Sequence, residues 1–161
     1  MEDSLYIVIH NNIIESNGRE GLIIRTCKNV VISSNTIQGH EGTYSCGSGI
    51  SIYDNRDSHI IKNNNIISNY YSGIYIMSKL TNPNKIIQNN FIGNMCAVNF
   101  DCLYSRASAK HIFRNNYWSQ RNIPFVKIVS GSFYLNHHTY TCINIDWFPA
   151  RNPFPNNGYQ L

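Results

Sequence analysis

The sequence predicts an all-β protein: a right-handed parallel β-helix of about five rungs, with an irregular C-terminal cap. Two short motifs alternate in phase along residues 6–118, and each returns after about 25 residues. Both motifs are rich in β-branched residues. Their apolar and polar positions alternate with the period of a strand that has one buried face. Four of the five prolines and both tryptophans lie at or after residue 118, where the repeats end.

The first motif is an apolar residue, then an asparagine three positions later, then a second apolar residue. Its copies carry asparagines at intervals of 24, 29, 25 and 26 residues: Asn11, Asn35, Asn64, Asn89 and Asn115. An asparagine amide both donates and accepts hydrogen bonds, so identical residues at one turn can bond along the axis of a stack. We interpret these asparagines as a structural ladder rather than as a row of substrate ligands.

The second motif is a small residue followed by apolar, variable and apolar positions. Its copies begin at intervals of 28, 24 and 24 residues, in step with the first motif: residues 21–24, 49–52, 73–76 and 97–100. A unit of this length holds roughly three short strands with their turns. Stacking such units about 4.8 Å apart makes parallel sheets around a continuous apolar interior. Three glycines are predicted at turns or close-packed positions: Gly21, Gly49 and Gly73.

Departures from the regular spacing predict where the chain forms loops that leave the regular β-helix. The longest interval contains residues 39–47, which are rich in turn formers and are expected to form an outward loop. A polar segment, residues 101–110, is expected to leave the fourth turn.

The two ends of the chain are predicted to differ, with a cap at the C-terminal end and none at the N-terminal end. We assign residues 1–118 to the rungs and residues 119–161 to a capping segment of the same domain, because an uncovered end exposes unpaired strand edges. Residues 128–134 are expected to contribute a hairpin to this cap. Met1 leads almost directly into the first rung, so the chain is expected to lack upstream rungs, an N-terminal cap and a signal sequence.

Composition argues against several classes of protein. The net charge of +4 arises from 13 basic and 9 acidic residues. The basic residues are scattered, whereas nucleic-acid-binding proteins cluster them on one face. No apolar run reaches the roughly 18 residues of a membrane span, and residues 1–12 lack the basic and apolar regions of a signal peptide. We therefore expect no nucleic-acid partner and no membrane span in this chain.

The cysteines and histidines lack the spacing of metal sites. The cysteine count is odd, which favours buried free thiols while leaving disulfides open: Cys27, Cys46, Cys96, Cys102 and Cys142. The adjacent His137 and His138 would point to opposite faces of a strand. His10, His59 and His111 recur near the asparagine motif, but on rungs that are not all adjacent. We expect no copper site, no other metal and no cofactor.

The repeats of residues 6–118 resemble the parallel β-helix repeat family, which shares the pectate-lyase-like fold. In the pattern of its repeats, the chain resembles two groups of this family. One is the NosD-type proteins of periplasmic copper-site maturation, and the other is the carbohydrate-binding, sugar-hydrolase-like repeats. Residues 115–119 and 144–150 are similar to the ending of secreted archaeal and bacterial β-helix repeat proteins, although Phe148 stands where that ending more often has histidine. The resemblance implies an extracellular, cell-surface or periplasmic location.

Outward side chains of the second motif suggest a ligand surface. They form two rows, one of Arg25, Tyr53, Met77 and Asp101 and one of Ile23, Ser51, Tyr75 and Asn99. Aromatic rings on neighbouring rungs can stack on sugar rings while polar groups bond the hydroxyls. Polar residues just past the strands, among them Arg56, extend this surface. The predicted ligand-binding residues are Tyr53, Asp54, Asp57, Tyr75, Lys79 and Asp101.

Three functions remain open from the sequence. The first is a structural or glycan-binding module of a secreted or cell-surface protein, with a polysaccharide or glycan as partner. The second is a fragment of a carbohydrate-active enzyme, a polysaccharide lyase or glycoside hydrolase. However, Asp54 and Asp101 stand two rungs or about 10 Å apart, against the 5–9.5 Å or so of a catalytic carboxylate pair, and no catalytic residue is assigned. The third, an accessory protein for metal-centre assembly, follows only from the resemblance.

Overall fold

The computed structural model describes residues 6–42, 46–53, 57–78, 82–103, 110–119, 126–135 and 138–155. Over these residues the chain forms β-strands and no helix. In chain order the strands are β1 (Ile7–His10), β2 (Ile13–Glu15), β3 (Leu22–Arg25), β4 (Val30–Ser33), β5 (Thr36–Gln38), β6 (Ile50–Tyr53), β7 (Ile60–Lys62), β8 (Asn65–Ile67), β9 (Ser72–Ser78), β10 (Lys85–Ile87), β11 (Asn90–Ile92), β12 (Cys96–Leu103), β13 (Ile112–Arg114), β14 (Tyr117–Trp118), β15 (Lys127–Leu135) and β16 (His138–Asp146).

The strands form three sheets, and successive strands of the chain lie in different sheets. The first sheet has the order β1-β4-β7-β10-β13, the second β2-β5-β8-β11-β14 and the third β3-β6-β9-β12-β15-β16. All neighbours are parallel except β15 and β16, which are antiparallel. Each turn therefore adds one strand to each sheet, which confirms the predicted parallel β-helix. The solenoid has about four turns.

Apolar columns fill the space between the sheets. In the second sheet Ile37 lies beside Ile66, which lies beside Phe91. All three side chains are buried, as are the corresponding residues of the other two sheets. Removing one such side chain from water contributes about 1.5–3 kcal/mol. Towards the C-terminal end the column continues into Trp118, whose indole stacks on Phe91 with ring centroids 4.6 Å apart.

The second motif needs small residues because neighbouring turns approach closely. A Cβ atom on Gly49 would lie 2.8 Å from the carbonyl oxygen of Gly73, and one on Gly73 would lie 2.6 Å from that of Ala97. Contacts this short require the backbone to move, so these glycines are close-packing positions.

An asparagine ladder occupies the corner between the first and second sheets. In successive rungs the side-chain nitrogen Nδ2 donates to the Oδ1 atom of the next asparagine at 2.9–3.2 Å, and the backbone N–H of the same residue donates to that oxygen as well. The members, in order, are Asn12, Asn35, Asn64, Asn89 and Asn116. Asp146 accepts the bonds of the last rung.

The sequence assignment of Asn11 and Asn115 to this ladder is wrong by one residue. Both have positive φ, 56° and 55°, and turn the chain at the corner immediately before the ladder residue. Asparagine adopts this left-handed conformation more readily than most residues. In the sequence, either member of such a pair of asparagines could be the inward ladder residue. Only the backbone conformation shows which side chain points inward.

Two further polar ladders line the other corners, and the sequence analysis missed both. His40, Asn69 and Asn94 follow one another between the second and third sheets, each backbone N–H donating to the next side chain. Between the third and first sheets the series is His59, Asn84, His111 and Asn144. A fixed spacing in the sequence could have revealed these two ladders, because several of their residues lie five positions before or after an asparagine of the first ladder.

The C-terminal residues continue the third sheet and then reverse. Residues 128–134, predicted to contribute a hairpin, all lie in β15, which pairs in parallel with β12 through Asp101–Leu103. The other arm of the hairpin is β16. The described cysteines Cys27, Cys46, Cys96 and Cys142 are free thiols.

Candidate ligand-binding face

Strand alternation creates a face of tyrosines on the outside of the third sheet. Ile52 and Ile76 point into the core, so their neighbours Tyr53 and Tyr75 point outward. Tyr71, immediately before β9, joins them. We call Tyr53, Tyr71 and Tyr75, together with Arg25, Asn99 and Asp101, the tyrosine face.

The Tyr75 ring contacts the rings of Tyr53 and Tyr71 edge to face. The centroid of Tyr75 lies 5.8 Å from that of Tyr53 and 5.9 Å from that of Tyr71, with interplanar angles of 64° and 66°. The guanidinium carbon of Arg25 lies 5.2 Å from the centre of the Tyr53 ring, within the range of a cation–π contact. Asn99 donates through Nδ2 to the Tyr71 hydroxyl at 3.1 Å.

Asp101 brings a carboxylate to the edge of this cluster. The Tyr75 hydroxyl donates to its Oδ2 atom at 3.3 Å, and the Ser132 hydroxyl donates to Oδ1. Burial, and next the negative charge of Asp101, raise the pKa of Tyr75 above its ordinary value. Because the phenol keeps its proton, it remains a hydrogen-bond donor to the carboxylate.

Ser51 is enclosed beneath the tyrosine face. It points outward from β6 beside Tyr75 of the next strand, yet its side chain is only 1% exposed. Among the described residues, none forms a hydrogen bond with its hydroxyl. A buried hydroxyl without a partner costs about 1–3 kcal/mol.

The structure gathers only part of the predicted ligand set. Tyr53, Tyr75 and Asp101 lie together on the face. Asp57 instead bonds the backbone N–H of Ser58 at 2.8 Å and the Nδ2 atom of Asn82 at 3.2 Å, in the corner between the third and first sheets. Asp54 and Lys79, like Arg56, lie outside the described residues.

The sequence analysis missed four residues of this site or its margin. Tyr71 precedes the glycine that begins the predicted motif, so no periodicity marked it. Arg25 and Asn99 stand in the predicted outward rows but were not predicted to bind ligand. Ser132 belongs to β15, which was assigned to the cap rather than to the sheet.

The buried histidines have structural partners. The Nδ1 atom of His59 accepts the backbone N–H of Val30 at 3.2 Å, and that of His111 accepts the backbone N–H of Asn84 at 3.4 Å. Burial lowers the pKa of His59 and of His111 to about 4. His40 accepts from Asn17 in the same way at 3.2 Å, and burial lowers its pKa too. These rings are neutral acceptors within the ladders.

The fold and this face define a parallel β-helix protein with an aromatic surface on one sheet. The family model described as "Periplasmic copper-binding protein (NosD)" matches residues 1–135, and the chain belongs to this family. Neither the curated proteins nor the solved structures provide a match. Over the described residues, no helix is long and apolar enough to span a membrane.

The family description raises the question of whether this chain can hold copper. Copper sites in proteins use histidine, cysteine and methionine ligands brought together by the fold. In the part of the chain that the structure describes, no three side chains of histidine, cysteine, aspartate or glutamate come together in a way that could hold a metal ion. His138 begins the edge strand β16 beside Tyr140, and His137 lies outside the described residues. The described histidine, cysteine, aspartate and glutamate side chains therefore do not by themselves assemble a copper centre.

Proposed function

We propose that the protein is an exported β-helix protein, periplasmic or displayed at the cell surface, that binds a glycan on the tyrosine face. The observation that carries this proposal is the cluster of Tyr53, Tyr71 and Tyr75 on the outside of the third sheet. The family description supports the location.

The chemistry of the tyrosine face suits a sugar. Aromatic rings offer an apolar surface to the C–H face of a pyranose, while the hydroxyls of Tyr71 and Tyr75 are held in place by Asn99 and Asp101. Asp101 accepts hydrogen bonds, while Asn99 and Arg25 donate them, so both kinds of partner for sugar hydroxyls flank the rings. A site of this type combines apolar contact with a few directed polar groups.

A polysaccharide panel tests this proposal. Purified protein is screened against acidic and neutral polysaccharides, with binding and the release of new sugar ends measured in the same samples. We expect the wild-type protein to bind at least one polysaccharide. Tyr53→Ala should weaken this binding about tenfold or more, because it removes a central aromatic contact. Tyr70→Ala is the matched control, because Tyr70 is 58% exposed yet is not part of the tyrosine face.

The other outcomes discriminate among the alternatives. Binding by Tyr53→Ala that is as strong as binding by the Tyr70→Ala control would remove the tyrosine face as the site. New sugar ends would instead favour a carbohydrate-active enzyme, and Asp101→Asn would be the first variant to assay.

A second candidate function is an accessory role in metal-centre assembly. The match to a family described as copper-binding favours it, although the described residues bring no ligand cluster together. Elemental analysis of protein purified from copper-supplemented cells tests it directly. Stoichiometric copper that survives dialysis would favour this role over glycan recognition.

A further inference from the structure

We propose that the outside of the first sheet binds the surface of a membrane that contains anionic lipids. This surface lies on a different sheet from the tyrosine face, and the proposal does not depend on glycan binding. It rests on a regular alternation of cations and isoleucines over the strands β7, β10 and β13. We call these six residues the cationic face: Ile60, Lys62, Lys85, Ile87, Ile112 and Arg114.

Strand alternation directs the side chains of the cationic face outward. The middle residues of the three strands, Ile61, Ile86 and Phe113, are buried in the core, so the residues on either side of them point away from it. The parallel register then forms two rows across the strands, one of Ile60, Lys85 and Ile112 and one of Lys62, Ile87 and Arg114. Cations and isoleucines therefore alternate both along and across the strands.

The register brings together basic residues that lie far apart in the sequence. Neighbouring strands are about 4.8 Å apart, and successive residues of a strand are about 3.3 Å apart. The Cα atoms of Lys62 and Arg114 are therefore about 10 Å from each other, and that of Lys85 is roughly 8 Å from both. Three positive charges thus share one small area of the sheet.

The three cations are available to an external anion. All three residues are exposed, and none forms a salt bridge with a residue that the structure describes. The strands of the first sheet contain no aspartate or glutamate. Asp57 lies in the corner before β7, where it bonds Ser58 and Asn82 instead. The described part of this face therefore carries positive charge only.

The isoleucines favour a lipid surface over a soluble polyanion. Ile112 is 43% exposed, Ile60 and Ile87 are partly exposed, and Val8 extends their row at 51% exposure. A soluble acidic polymer gains little from aliphatic side chains. At a membrane surface, however, aliphatic side chains reach the boundary between head groups and acyl chains, while the flexible stems of lysine and arginine let their charges bind anionic head groups.

Vesicle co-sedimentation of the full chain tests this proposal. The vesicles contain phosphatidylcholine either alone or mixed with phosphatidylglycerol, and the ionic strength is varied. We expect binding to the mixed vesicles only, and weaker binding as the salt concentration rises. The double variant Lys62→Gln/Arg114→Gln should bind about thirtyfold more weakly, because each basic residue near an anionic surface contributes roughly a fivefold factor. Arg19→Gln/Arg151→Gln is the matched control, since it removes the same charge from exposed positions outside the cationic face.

A third variant separates a lipid surface from a soluble polyanion. Ile112→Thr keeps a β-branched residue in β13, and it should weaken vesicle binding several-fold without affecting any binding to polygalacturonate. Three results would each overturn the proposal: no binding of mixed vesicles by the wild-type protein, equal binding by the two double variants, or full vesicle binding by Ile112→Thr. Tighter binding to polygalacturonate than to vesicles, lost in Lys62→Gln/Arg114→Gln, would assign the face to an acidic polysaccharide instead.

Discussion

The Oδ2 atom of Asp146 lies 3.0 Å from the Nδ2 atom of Asn116, at the last rung of the asparagine ladder. The same carboxylate accepts the backbone N–H groups of Asn115 and Asn116 and the indole N–H of Trp118, at 2.9–3.1 Å. Asp146 is completely buried. A single side chain on the returning strand β16 therefore satisfies donors from the corner and from the core.

Removing this carboxylate should destabilise the protein strongly. Asp146→Ala leaves those N–H groups buried without their acceptor, and each orphaned donor costs about 1–3 kcal/mol. We expect the free energy of unfolding to fall by about 4 kcal/mol, measured by urea denaturation followed by circular dichroism. Asn152→Ala, at an exposed position in the same tail, should change stability by less than about 0.5 kcal/mol. Equal effects of the two substitutions would contradict the role of Asp146.

Neighbouring asparagines within one rung should respond very differently. Asn64→Ala removes the acceptor of both the backbone and side-chain nitrogens of Asn35, at a cost of about 3 kcal/mol or more. Asn63 is exposed and has φ of 56°, so Asn63→Gly should cost almost nothing. Chemical denaturation of the pair compares them directly. A large loss for Asn63→Gly would show that the corner residue, rather than the inward one, carries the ladder.

Acid should weaken the fold through its buried histidines. His59 and His111 have pKa values of about 4 in the folded protein, against about 6.5 when unfolded. Below pH 6.5 these two histidines bind protons in the unfolded chain, whereas in the native protein their rings stay neutral until the pH approaches 4. Stability is therefore complete above about pH 6.5 and is lost as the pH falls towards 4, by about 3 kcal/mol for each histidine.

Asparagine substitutions separate this effect from carboxylate titration. His111→Asn keeps an acceptor oxygen in the ladder, as Asn84 already provides one rung earlier. The difference in unfolding free energy between pH 7 and pH 4.5 should shrink by about 2–3 kcal/mol in this variant. An unchanged pH dependence would mean that the His111 ring is not a neutral acceptor in the native state.

Tyr75 should ionise later than an ordinary tyrosine. Burial and the Asp101 carboxylate both raise its pKa, so the phenol stays protonated when exposed tyrosines lose their protons near pH 10. Ultraviolet titration of native protein should show a tyrosine component delayed above that pH, and Tyr75→Phe should remove it. Persistence of the delayed component in this variant would assign it to another tyrosine.

The repeated pattern of buried and outward residues made much of the fold predictable from the sequence. The alternation around Ile52 and Ile76 predicted both the buried columns and the outward tyrosines. The paired asparagines at residues 11–12 and 115–116 did not reveal which member points inward, because asparagine suits both positions. Asp146 lies outside the repeats and is not an asparagine, so no pattern connected it with the ladder.

The candidate sites were only partly predictable because they depend on non-repeating geometry. Asp57 follows a strand of the tyrosine face, but the corner directs it towards Asn82. This relationship has no counterpart in the other turns that the structure describes, so periodicity gave no indication of it.

The chemistry of Asp146 also gives the ladder a direction and an end. Every hydrogen bond between two of its asparagines runs from a donor on the N-terminal side to an acceptor on the C-terminal side. One more asparagine could always extend such a series, because it both accepts and donates. A carboxylate can only accept. This one aspartate therefore closes the asparagine ladder at Asn116.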